Sequence, residues 1–116
     1  MTTLYGISNC DTVRKTRKWL ETNGIACAFH DFRKEGLERA QVDRWCDALS
    51  IDTVLNKRGT TWRALPAEQR DSLDESGLRA LLVEHPTLIK RPVLEHNDTI
   101  RVGFKAEEYA ALFGVE

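Results

Sequence analysis

The first 32 residues narrow the choice of fold more than any other part of the chain. Thr3-Leu4-Tyr5-Gly6-Ile7 is a short run of mostly β-favouring residues, closed by the turn-forming pair Ser8-Asn9. From Asp11 to Thr22 neither Gly nor Pro intervenes. Val13, Thr16 and Leu20 share one helical stripe there, and Asn23-Gly24 supplies a stop. Residues 25–32 then read as a second strand, apolar enough to be buried, with Cys27 inside it. Two strands separated by a helix of this length favour parallel pairing through a crossover. Cys10 falls where the first strand hands over to the helix.

Downstream, residues 38–49 read as an amphipathic helix with Val42, Trp45, Cys46 and Leu49 on its apolar stripe. Asn56 and Gly59 break the pattern over 52–63, while 66–70 and 76–84 read as short helices, the second with Leu78, Leu81 and Leu82 on one face. After His85-Pro86, the runs 91–94 and 99–102 flank Glu95-His96-Asn97-Asp98, a hairpin signature, and 106–113 reads as a closing helix. No repeat, low-complexity tract or linker divides the chain. The expectation is one α/β domain built on a mixed sheet, with a helical stretch in its middle.

The 116 residues carry 17 basic and 18 acidic side chains, a net charge of −1. That balance offers no support for nonspecific nucleic-acid binding, which draws its affinity from an excess of Lys and Arg. No apolar run approaches the roughly 18 residues of a membrane span. The start Met1-Thr2-Thr3 lacks a basic, apolar targeting pattern, so a cytoplasmic location is expected. Three widely spaced cysteines, Cys10, Cys27 and Cys46, show no Cys-X-X-Cys pair, and His30, His85 and His96 stand at no metal-ligand spacing. Neither structural disulfides nor a metal is expected, which leaves the question of which thiol is reactive.

A thiol at a helix start feels the partial positive charge of the unpaired backbone N–H groups, and the thiolate is the reactive form. Cys10 has that placement, and Arg14, one turn on, is the cation best placed to stabilise its thiolate. The competing reading makes Cys10 a small core residue and the cations of this helix a solvated face. Cys27, in a strand, and Cys46, on an apolar stripe, read as packing residues. Two further places gather cations beside backbone-bending residues: Lys57-Arg58-Gly59-Thr60-Thr61-Trp62-Arg63 and Lys90-Arg91-Pro92. Each is either an anion-binding loop or a solvent-exposed basic one. Pro92 sits poorly at the entry of a strand unless at an edge or after a cis bond, and a cis Arg91-Pro92 peptide is expected.

Three segments together resemble the arsenate reductase-like (ArsC/Spx) family of thioredoxin-like proteins, and within it the small YffB-type members. They are Leu4-Tyr5-Gly6-Ile7-Ser8-Asn9-Cys10-Asp11-Thr12-Val13-Arg14-Lys15, Leu55-Asn56-Lys57-Arg58-Gly59-Thr60-Thr61-Trp62-Arg63 and Pro86-Thr87-Leu88-Ile89-Lys90-Arg91-Pro92-Val93-Leu94. The resemblance implies a thioredoxin-like mixed sheet with an inserted helical subdomain at about 38–86, in a single domain spanning 1–116. It implies Cys10 as nucleophile, Arg58 and Arg91 as the arginines that hold an oxyanion or the carboxylates of glutathione, and Pro92 as the cis proline facing the thiol. Asn9, beside the nucleophile, is placed with them as a binding residue. It also implies glutathione as co-substrate, with no bound cofactor, and glutaredoxin as a partner. A monomer is expected.

The chain departs from the family in two places. Where arsenate reductases carry a further arginine after the hairpin strand this chain has Phe104, leaving Arg63, Arg101 or Lys105 as replacements, of which Arg101 is taken as a binding residue. Asp11 follows the nucleophile directly, implying that arsenate itself is not the substrate. Val13 stands where the regulatory branch has the second cysteine of a Cys-X-X-Cys switch, so a monothiol cycle is expected. The alternative is a non-catalytic, Spx-like regulator that docks on a protein partner through the helical insert.

Overall fold

Strand β1 (Thr2–Gly6) lies inside a four-stranded sheet of order β2-β1-β3-β4, in a computed structural model that describes residues 2–115. Met1, part of the polar start noted above, lies outside the described residues, as does Glu116. Strand β2 (Ala28–Asp31) pairs parallel with β1, from Thr3↔Ala28 to Gly6↔Asp31. Strand β3 (Val93–His96) pairs antiparallel with β1 and with β4 (Thr99–Val102). This is the thioredoxin-like mixed sheet implied by the resemblance. The residues divide into two units: one running to Glu35 and resuming at Arg91, the other Gly36–Lys90.

The first unit holds the sheet with helices α1 (Asp11–Thr22), α2 (Phe32–Glu35) and, at its end, a helix spanning Ala106–Phe113. Helix α1 lies close over β1 because Gly6 has no side chain: a Cβ there would sit 2.8 Å from a Val13 methyl, closer than packed carbons tolerate. Val13, Thr16 and Leu20 are its buried stripe. Leu4, Leu20, Leu94 and Tyr109 form a core cluster, edged by Trp19, Phe104 and Phe113. Phe104 stacks edge-on against Tyr109 at 5.0 Å and Trp19 at 6.2 Å, so the residue found in place of the expected arginine packs against the aromatic core.

Three local expectations need correcting. Strand β2 starts at Ala28 rather than at 25, because the end of α1 uses those residues. Gly24, at φ +69°, donates to Glu21 O and Ile25 N–H donates to Leu20 O, a Schellman closure that takes Ile25 out of the ladder. Cys27 therefore precedes the strand. Strand β2 is also an edge strand with Ala28 exposed and Phe29 and His30 half-buried, not a buried one. The hairpin turn is shorter than read, since Glu95 and His96 belong to β3; Asn97, at φ +53°, and Asp98 make the turn.

The second unit, Gly36–Lys90, is helical: α3 (Arg39–Leu49), α4 (Ile51–Val54), α5 (Thr60–Ala64), α6 (Ala67–Ser72) and α7 (Glu75–Glu84), with a 3-10 turn at Pro86–Leu88. With these five, the terminal helix Ala106–Phe113 becomes α8. Glu38 begins α3 with a reciprocal capping box to Gln41, and Asp74 caps α7 by accepting from Gly77 N–H at 2.8 Å. Val42, Trp45, Val54 and Leu82 are fully buried in this unit, each contributing about 1.5–3 kcal/mol by leaving water. The ambiguous stretch 52–63 resolves into the end of α4, an antiparallel bridge Leu55↔Ile89, and α5 after Gly59.

Candidate active site around Cys10

Cys10 ends the loop after β1 with extended backbone (φ −139°, ψ 126°) and is the residue from which α1 starts. Its carbonyl accepts from Arg14 N–H at 2.9 Å, the first bond of the helix. The sulfur thus stands where the first backbone N–H groups of α1 have no carbonyl partner within the helix. Burial opposes ionisation of this thiol. That penalty is outweighed by the N–H of Val13, by a hydrogen bond and the charge of the Arg91 guanidinium, and by the N–H of Thr12. The net result is a thiol held below its ordinary pKa.

Arg91 therefore takes the part expected of Arg14. Arg14 is paired with Asp11 on the exposed side of the same helix. Arg91 arrives through the cis Arg91–Pro92 peptide, and buried Pro92 is anchored by its carbonyl, which accepts from Gly103 N–H at 2.8 Å just beyond β4. Asn9 is exposed in the loop directly before Cys10. Arg101 is on β4 of the same unit. It pairs with Leu94 across the hairpin and lines a shallow cavity of about 300 Å³ with Glu108, Ala111 and Leu112 of β4 and α8. Its guanidinium donates to the neighbouring Ile100 carbonyl at 3.1 Å.

Arg58 belongs to the helical unit, exposed in the turn before α5, with its N–H donated to Asn56 Oδ1 at 3.1 Å. Asp52, Leu55, Asn56, Lys57, Arg58 and Lys90 line a cavity of about 390 Å³ there. Three cations against one carboxylate make it suited to an anion, and Lys57 reaches that carboxylate at 3.5 Å. Arg63 and Lys105 are both exposed. Among the described residues no three His, Cys, Asp or Glu side chains are grouped as metal ligands, and no helix is long and apolar enough to cross a membrane.

The other two thiols differ. Burial pushes Cys27 up, against weaker lowering by the Leu4 N–H and Arg17. Burial also raises Cys46, with Arg79 lowering it and Glu75, Asp43 and Asp47 raising it further. None of the three cysteines is in a disulfide.

One part of the site was missed in the sequence. The loop before Cys10 is tied to Asp31, whose Oδ2 accepts from Ser8 N–H at 3.3 Å and whose Oδ1 accepts from Arg33 N–H at 2.8 Å. Aspartate two residues before such a donor is a helix N-cap signal. Reading the strand through residue 32 hid it.

The ArsC family profile matches residues 5–112. The fold superposes on that of a YffB protein with a TM-score of 0.92 at 44% identity, covering 96% of this chain and 97% of that one. An arsenate reductase (ArsC) related protein from Brucella melitensis matches at a TM-score of 0.76 and 44% identity, over 98% of this chain and 95% of the other. In sequence, an uncharacterized Haemophilus influenzae protein is 42% identical over 113 residues, which is 97% of this chain and 99% of that protein. The global transcriptional regulator Spx of Streptococcus mutans is 26% identical over 113 residues, 96% of this chain and 82% of the regulator.

Proposed function

This chain belongs to the ArsC family, and from that premise we propose that it is a glutathione-dependent thiol oxidoreductase with Cys10 as its single nucleophile. The observation that carries the reading is the Cys10 environment, where Arg91 and the N–H groups of Val13 and Thr12 outweigh the cost of burial and favour the thiolate. Cys10 is the one cysteine of the three pushed in that direction.

With a disulfide substrate, the Cys10 thiolate attacks one sulfur, forming a new S–S bond as the old one breaks, and the other sulfur leaves as a thiolate that takes a proton from water. Where the sulfur retained is that of glutathione, Cys10 carries a mixed disulfide. A second glutathione thiolate then attacks the glutathione sulfur, releasing Cys10 as thiolate and yielding glutathione disulfide. Two electrons pass from glutathione to the substrate. Arg91 stabilises the thiolate at the start and the end of the cycle. Arg91 is the group we assign to the carboxylates of glutathione or to the oxygens of an anionic substrate at Cys10, with Asn9 and Pro92 beside the thiol and glutaredoxin as an alternative resolving partner; Arg58 is assigned to anion binding within its own unit. The protein acts as a monomer in the cytoplasm and needs no bound cofactor.

The test is incubation with glutathione disulfide followed by peptide mass spectrometry. A glutathione adduct confined to Cys10, reversed by glutathione, with turnover lost in Cys10→Ser, supports the reading. Adducts spread evenly over the three cysteines, or turnover unchanged in Cys10→Ser, would contradict it. The similarity to Spx motivates one rival, a regulator docking on a protein partner. That role predicts a stoichiometric complex indifferent to alkylation of Cys10.

A further inference from the structure

We propose that Asp31 is a positioning residue for the Cys10 thiol, its buried carboxylate clamping Ser8 and so fixing the loop that delivers Cys10 to the start of α1. This rests on the reading of Cys10 as the nucleophile. Register puts Asp31 at the end of β2, opposite Gly6, the last residue of β1. From there its two oxygens reach two segments. Oδ1 accepts from Arg33 N–H, closing the first turn of α2, and Oδ2 accepts from Ser8 N–H, two residues before Cys10.

Capping a four-residue helix does not call for a buried carboxylate, since exposed caps serve equally well. Asp31 is only 5% exposed, and a carboxylate removed from water is tolerated only where donors satisfy it. Burial raises its pKa, but the Arg33 and Ser8 N–H groups, the Ser8 hydroxyl and the Lys34 N–H lower it further, so the charged form is the favoured one. The loop between β1 and α1 is thereby tied to the neighbouring strand. Its path determines whether the Val13 and Thr12 N–H groups and the Arg91 guanidinium all converge on the sulfur.

The charged groups around Asp31 are Glu35, whose Oε2 accepts from Asp31 N–H at 3.1 Å, His30 at 3.9 Å from that carboxylate, and the flanking Arg33 and Lys34. Around Cys10 stand Arg91 and the Asp11–Arg14 pair. Asp31 is not among the main influences on the Cys10 thiol, whereas it is hydrogen-bonded to the loop that carries it. This sets the sign of the effect. If Asp31 acted as a nearby negative charge, Asp31→Asn would ease ionisation of the thiol. If it acts by holding the loop, the same change lets the donors drift from the sulfur and hinders ionisation.

The experiment is the pH profile of Cys10 alkylation by iodoacetamide, read by peptide mass spectrometry, in Asp31→Asn, in the unsubstituted protein and in Val42→Ala. Val42→Ala destabilises the helical unit and serves as the control for stability alone. The proposal predicts an alkylation midpoint in Asp31→Asn raised toward the ordinary cysteine value of about 8.5, with Val42→Ala unmoved. A midpoint unchanged or lowered in Asp31→Asn overturns it. Should Asp31→Asn fail to fold, amide NMR of the unsubstituted protein decides. The Ser8, Thr12 and Val13 amide shifts should move together as Asp31 protonates below about pH 4, and a Ser8 shift flat through that titration overturns the proposal. A Cys10 midpoint that is ordinary in the unsubstituted protein is a different outcome, since it removes the nucleophile itself.

Discussion

Cys10 and Cys46 each have an arginine beside them, and the two thiols shift in opposite directions. Beside Cys46, on α3, Arg79 of α7 is 14% exposed and hydrogen-bonded to Asp43, Asp47 and Glu75. Asp43 and Asp47 raise the arginine's already high pKa, and all three carboxylates oppose its effect on the sulfur, where burial is the largest influence. Cys46 also sits inside a helix, its carbonyl taken by Ser50 N–H at 2.8 Å. At Cys10 the arginine acts together with two N–H groups at a helix start. A cation near a thiol is therefore a weak signal. The balance of charges around that cation and the donors aimed at the sulfur decide the outcome.

The largest effect we expect would separate fold from reactivity. Leu82→Ala in the helical unit removes a fully buried side chain and should cost about 2–5 kcal/mol, read by denaturant unfolding. While the protein is folded, the Cys10 alkylation midpoint should stay where it is; a large movement would break the separation between the two regions. Next, Arg91→Met should raise the Cys10 midpoint and slow alkylation at neutral pH by about tenfold for each unit of rise, leaving Cys46 unchanged. Arg14→Met should do far less, because Arg14 is engaged with Asp11. Equal effects of the two substitutions would contradict the assignment.

Arg79→Met should lower Tm by a few degrees by leaving the carboxylates of Asp43, Asp47 and Glu75 facing one another. It should also push the Cys46 thiol higher without touching Cys10. The smallest effect is the pH dependence of stability, where the two thiols carry opposite signs. The Cys10 pKa is lowered, so its contribution is present above the unfolded value of about 8.5 and is lost as pH falls through the folded one. The Cys46 pKa is raised, so its contribution is present below the unfolded value and is lost as pH rises through the folded one. From about pH 6 to 10, the Tm difference between the unsubstituted protein and Cys10→Ala should grow, and that for Cys46→Ala should shrink.

These contrasts track what was legible in the sequence. Helix α1 was read at its observed bounds because nothing interrupts Asp11–Thr22 and Asn23-Gly24 ends it; α8 and the cis Arg91–Pro92 bond were also readable locally. The start of β2 was not, because a Schellman closure depends on backbone bonds of Ile25 that any residue could make. The stabilising cation was misplaced for a similar reason. Arg14 is four residues from Cys10 along a helix, but its side chain turns to Asp11, whereas Arg91 is distant in sequence and comes near only through the order of the strands. Asp31 was hidden inside an apolar run. Phe104 could be noted as a departure, but its place in the aromatic cluster with Trp19 and Tyr109 is a property of the folded sheet and helices.

The central claim is that one thiol of three is poised as a nucleophile. Its most direct test is the alkylation rate of Cys10, Cys27 and Cys46 as a function of pH in the same unsubstituted sample, resolved by peptide mass spectrometry. The account predicts a Cys10 midpoint below the ordinary value of about 8.5 and midpoints above it for Cys27 and Cys46. A Cys10 midpoint at or above that value, or three indistinguishable profiles, would contradict it.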